Sequence, residues 1–104
     1  MITVTEKAAE QIKYSAEQGG MEELPLRIAA DKTSDGGIHY GMGFDDSKHA
    51  EDNTFTSSGV TIIVTKQSLE LLNGMTIDFV ELDDGKQEFV FLNPNDPNYS
   101  PGSE

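Results

Sequence analysis

Apolar residues along this chain recur first at helical spacing and then at strand spacing. Between Thr5 and Gly19, Ala8, Ala9, Ile12 and Ala16 fall on one face of a 3.6-residue repeat. Thr5 offers an N-cap oxygen, Glu6 sits in the first turn, and Gly19-Gly20 supplies a stop. The pattern predicts an amphipathic helix that is thin in bulky apolar side chains. Leu26 to Ala30 alternates with period two, and so does His39 to Phe44. The turn-forming run Ser34-Asp35-Gly36-Gly37 stands between them, which predicts a hairpin. Gly41 and Gly43 fall inside the second strand, where glycine is expected to mark a bulge or a close backbone approach around Met42.

A polar, mostly acidic connection runs from Phe44 to Asn53, after which Thr54–Ser57 and Val60–Val64 read as short strands around Ser58-Gly59. Thr65 is placed to cap a second helix, with Leu69 and Leu72 on its buried side and Asn73-Gly74 as its stop. Thr76–Leu82 and Glu88–Leu92 predict a second hairpin over Asp83–Lys86. The segment from Asn93 to Glu104 holds three of the four prolines and few apolar residues, and is expected to be loose. The expected organisation is one domain over residues 1–95 followed by a flexible tail over 96–104. No internal repeat is visible.

A length of 104 residues suits one domain with one core. No apolar run approaches the roughly 20 residues of a spanning helix, and Met1-Ile2-Thr3-Val4 lacks the basic start and apolar stretch of a signal peptide. The expected location is the cytoplasm, with no membrane partner. The chain has no cysteine, which excludes disulfides, thiolate zinc sites, thiol catalysis and cysteine-held clusters together. Nineteen acidic residues against seven basic ones give a formal charge of −12, and Arg27 is the only arginine. Nucleic acid is therefore excluded as a partner, because its phosphates are bound by lysine and arginine. The acidity reads first as solubility and alternatively as steering toward a basic protein surface, the expected partner; strong like charge favours a monomer.

Candidate chemistry is sparse. Asp31, Thr33, Asp35 and Gly36 occupy positions one, three, five and six of a calcium loop, but Met42 stands at twelve, where a bidentate glutamate is required. The flanks also read as strands, so a polar turn is the better reading. His49 lies near Asp45, Asp46, Glu51 and Asp52, a weak candidate set for a divalent ion that competes with a solvated acidic loop. His39 is expected to pack on a strand surface. There is no Gly-x-Ser-x-Gly, no phosphate-cradling glycine loop with lysine and no HExxH, so the chain is not expected to be an enzyme. Pro94, Pro97 and Pro101 with Tyr99 suit an extended segment that docks on a partner, or else a frayed terminus.

The run LRIAADKTSDGGIHYGMGFDD, from Leu26 to Asp46, and the later Phe91-Leu92-Asn93-Pro94-Asn95 together resemble the A-type iron-sulfur carrier family (HesB/IscA/SufA). In that family an LR(I/L/V) strand runs into a Ser-Gly-Cys-like turn, and the chain closes with Phe-x-Asn-Pro-Asn and a Cys-Gly-Cys. The resemblance implies an α+β, strand-rich HesB-like fold, with mixed sheets in a sandwich-like arrangement and two flanking helices. It also implies where the family's cysteines would stand: Asp35 at the first, Ser100 and Gly102 at the closing pair around Pro101. The run Tyr40–Asp46 and the ending Asn93–Pro101 are similar to the cysteine-free DsrR-type paralogues of sulfur-oxidising bacteria. A member of that branch would hold no cofactor and act through protein contacts in a regulatory or accessory role. The alternatives are an iron or cluster carrier using oxygen ligands or a partner's thiols, and a structural placeholder in a larger complex.

Overall fold

Thr5 caps the first helix as its position suggested: its hydroxyl oxygen accepts from the Ala8 N–H at 3.1 Å, and a left-handed Gly20 closes the helix at φ 68°. The computed structural model describes residues 2–47 and 51–97. Its elements are β1 (Thr3–Val4), α1 (Glu6–Gly19), β2 (Leu26–Lys32), β3 (Ile38–Phe44), β4 (Asp52–Ser57), β5 (Val60–Thr65), α2 (Lys66–Leu72), β6 (Thr76–Glu81) and β7 (Gln87–Leu92). A four-stranded sheet runs β3-β2-β5-β4 and a three-stranded sheet runs β1-β6-β7. The fold is α+β, with mixed sheets and two helices.

Each sheet joins a hairpin to a parallel pairing that crosses the chain. β2 pairs antiparallel with β3 and parallel with β5, and β1 lies parallel to β6 beside its antiparallel partner β7. β1 has only two residues, too few to show alternation; backbone bonds from Thr3 N–H to Met75 O at 2.9 Å and from Thr5 N–H to Ile77 O at 3.0 Å define it. The β2–β5 pairing spans Leu26↔Ile62 and Arg27↔Ile63. Farther along β2, the Ser68 hydroxyl of α2 takes over as partner of Ala30, accepting from its N–H at 3.1 Å and donating to its carbonyl at 3.4 Å.

The core is filled by Ile2, Val4, Ile28, Ile62, Val64, Leu72, Met75 and Ile77, all nearly or fully out of solvent. Ala8 and Ala9 are buried with them, so the thin face of α1 lets the helix backbone close on the β6 side. The bulge expected around Met42 does not occur. β3 pairs with β2 in unbroken register from Leu26↔Phe44 to Lys32↔Ile38, and neither Gly41 nor Gly43 adopts positive φ. Ile38, Tyr40, Met42 and Phe44 point inward against the core and fix that register, while both glycines lie on the exposed side. Among the described residues, no helix is long and apolar enough to cross a membrane.

Candidate functional site

Asp35, which the sequence resemblance sets at the family's first cysteine, lies in the β2–β3 turn. Thr33 N–H reaches Gly37 O at 3.0 Å, Gly36 N–H reaches Thr33 O at 3.1 Å, and Gly36 takes the φ of 90° that this turn needs. Asp35 Oδ1 accepts from the Thr33 hydroxyl and, at 3.2 Å, from the Gly37 N–H. These two donors, the hydroxyl first, hold the exposed Asp35 carboxyl below its ordinary range. The loop is thus closed by its own side chains as a polar turn, and its one acidic group is a hard oxygen donor of the kind iron-sulfur clusters disfavour. Asp31 and His39 face each other across β2 and β3, both exposed.

The chain that leaves β7 is fixed where a loose segment was expected. Asn93 is fully buried, and its Nδ2 donates to Leu71 O at 2.8 Å and to the Tyr40 hydroxyl at 3.2 Å. Its Oδ1 accepts from Asn95 N–H at 3.0 Å, and Asn95 Nδ2 donates to Asn73 O at 2.8 Å. The two asparagines therefore satisfy carbonyls at the C-terminal end of α2, which local sequence leaves without partners. The expectation of looseness from Asn93 onward fails at this residue for that reason. The Tyr40 hydroxyl donates to Asp96 Oδ2 at 2.7 Å, and its ring stacks on Phe91 with centroids 4.9 Å apart. Burial, and next the bond to Asp96, push the Tyr40 phenol up to about 12. Tyr40 thereby ties the strand after the Asp35 turn to the segment that follows β7. Ser100 and Gly102, the other two positions expected to match, lie outside the described residues.

The acidic candidates after β3 have a different employment. Arg27 Nε binds Asp45 at 2.7 Å, while its two terminal nitrogens clasp both oxygens of Asp52 at 3.0 and 2.8 Å. Nη2 also donates to Ser47 O at 3.2 Å. These bonds, led by the one to Asp52, raise the guanidinium above its ordinary value. Asp45 further accepts from the Ser47 N–H at 2.9 Å and from its hydroxyl at 2.7 Å. Those Ser47 donors, followed by Arg27, hold its carboxyl at about 2. Asp46 is exposed, and His49 lies outside the described residues. No group of three or more histidine or acidic side chains positioned for a metal occurs among the described residues. The arginine clasp was not foreseen; its one signal was a solitary arginine on a strand in an acidic chain.

A strand-rich α+β scaffold with two helices and an Asn-Pro-Asn cap after the β6–β7 hairpin is that of an A-type carrier. The chain belongs to the iron-sulphur cluster biosynthesis family, whose profile matches residues 1–100. It is 36% identical over 94 residues to the ErpA protein of Ralstonia nicotianae, named for iron-sulfur cluster insertion, covering 90% of this chain and 75% of that one. It shares the same identity with SufA of Bacillus subtilis, over 90% of this chain and 78% of the relative. Among solved structures it resembles IscA with a [2Fe-2S] cluster, at a TM-score of 0.76 and 26% identity over 90% of this chain and 86% of that one. It also resembles Escherichia coli SufA, at 0.74 and 27% over 98% and 88%.

Proposed function

We propose that this chain is a non-enzymatic, cysteine-free paralogue of the A-type carriers that acts in the cytoplasm through protein contacts, in a regulatory or accessory role in sulfur oxidation. The carrying observation is the donor set. A chain without a single thiol stands on a scaffold whose relatives are named for cluster insertion, and its position matching the first family cysteine is an aspartate committed to its own turn. Thiolates are the ligands a cluster iron selects, and neither an aspartate in a turn nor Ser100 and Gly102 replace three of them. The residues present do not fit a cysteine-held cluster. The DsrR-like run Tyr40–Asp46 supports the sulfur-oxidation setting, and the charge of −12 supports a basic protein surface as the partner.

Anaerobic reconstitution with ferrous iron and sulfide tests this reading. The parent protein is expected to show no stable charge-transfer absorption after desalting, and a stoichiometric cluster would overturn the assignment. The competing reading is a carrier that uses oxygen ligands or a partner's thiols. The cluster in the solved IscA relative favours it, and the same reconstitution in the presence of a dithiol would reveal it as absorption that needs both components.

A further inference from the structure

We infer that the cleft between the C-terminal half of α1 and the start of β5 is a docking pocket for a partner's peptide segment that presents one bulky apolar side chain beside a lysine or arginine. The inference rests on the protein-contact reading above and gives that contact a place and a chemistry. The cleft encloses about 230 Å³ and is lined by Ile12 and Ala16 of α1, by Leu26 of β2 and by Val60 of β5. Half-buried Leu24 and Phe44 flank these residues, so the lining offers an entering side chain both carbon and polar atoms. An apolar cavity of about 150 Å³ takes up benzene, and drug-sized sites begin at about 300 Å³. The cleft is therefore sized for one aromatic or long aliphatic side chain rather than for a nucleotide or a cofactor.

Charge selects what must lie beside that side chain. Glu22 and Glu23 are exposed lining residues of the cleft, just past the end of α1. α1 has no basic residue in its last turn, so no side chain of its own offsets the negative end of the helix dipole. Lys13, the one cation among the described residues that line the cleft, has its ammonium close against Gly59, on the β5 side. The acidic side is thus open to a cation supplied from outside, and the charge of −12 draws such a partner in.

The test is titration of the isotope-labelled full chain with short synthetic peptides, followed by amide chemical shifts. The first peptide has a central phenylalanine between two lysines. The second replaces the phenylalanine with serine, and the third replaces the lysines with glutamates. The first peptide is expected to move the amides of Leu24, Phe44 and Thr61 at roughly millimolar concentration. Loss of the aromatic ring is expected to weaken binding about tenfold or more, and charge reversal about threefold or more. The surface double variant Glu22→Lys, Glu23→Lys should reproduce the second loss with unchanged fold, and Ala16→Leu should block the cleft. Shifts centred elsewhere, or equal affinity for the serine peptide, overturn the pocket. A native partner whose retention is indifferent to Glu22→Lys, Glu23→Lys also overturns the pocket while leaving the protein-contact role standing. A stoichiometric cluster on the parent would instead overturn that role, whatever the peptides do.

Discussion

Tyr40 and Asp45 are two side chains whose protons the fold controls in opposite directions. Tyr40 is raised from 10.0 to about 12, so the folded state keeps its proton where the unfolded chain loses it. Its contribution to stability is whole below pH 10 and is lost as pH climbs toward 12. Ultraviolet titration of a Tyr14→Phe, Tyr99→Phe protein should give one phenol midpoint near 12, and Tyr40→Phe should flatten the alkaline fall of the urea midpoint. Asp45 is lowered from 3.8 to about 2 by Ser47 and Arg27, so its contribution is present above pH 3.8 and is lost as pH falls toward 2. Asp45→Asn should flatten the acid limb of the same stability profile, as measured by urea unfolding between pH 5 and pH 2.

At the scale of elements, three polar side chains hold α2 in place at two points, and each point stands where a regular ladder ends. Ser68 replaces β5 as the partner of Ala30, and Asn93 with Asn95 closes the far end of the helix. Removing Ser68 takes its partner from both buried Ala30 backbone groups, and removing Asn93 takes one donor from the Leu71 carbonyl and the acceptor from the Asn95 N–H. Asn93→Ala is expected to cost about 2–3 kcal/mol by urea unfolding, because it removes the shorter of two side-chain bonds to the Leu71 carbonyl, takes the acceptor from the Asn95 N–H and opens a polar void. Ser68→Ala should cost less, about 1–2 kcal/mol, because Ser68 is the smaller group and loses a single hydroxyl. If Asn93→Ala leaves the midpoint unchanged, the asparagine cap is not what fixes the chain after β7.

The whole molecule is an A-type scaffold without the family's sulfur, and two outcomes follow. Asp35→Cys, Ser100→Cys and Gly102→Cys together should confer iron or cluster binding that the parent lacks, read as charge-transfer absorption after anaerobic reconstitution. Three thiolates restore the soft donors, although Pro101 stiffens the link between the last two and the acidic surroundings raise thiol pKa values. Absence of binding in both proteins would show that the scaffold no longer brings these positions together. A charge of −12 also predicts a monomer at micromolar concentration, because like charge opposes self-association. Light scattering that finds a tight dimer at physiological salt would refute it.

Local chemistry decided what was legible beforehand. Thr5 and Thr65 announce their helices because a cap needs only the N–H three residues on, and the β2–β3 and β6–β7 hairpins follow from alternation around Asp-Gly turns. The absence of thiols is likewise a property of the sequence alone. Other features needed the tertiary structure because their partners lie far along the chain. Arg27 finds Asp45 and Asp52 at separations of 18 and 25 residues, and Tyr40 finds Asp96 at 56. The parallel pairings of β1 with β6 and of β2 with β5 leave no periodic trace, since a two-residue contact cannot alternate. An asparagine between a strand and a proline reads locally as loop. Only the open carbonyls at the end of α2, brought beside it by packing, make Asn93 a buried residue.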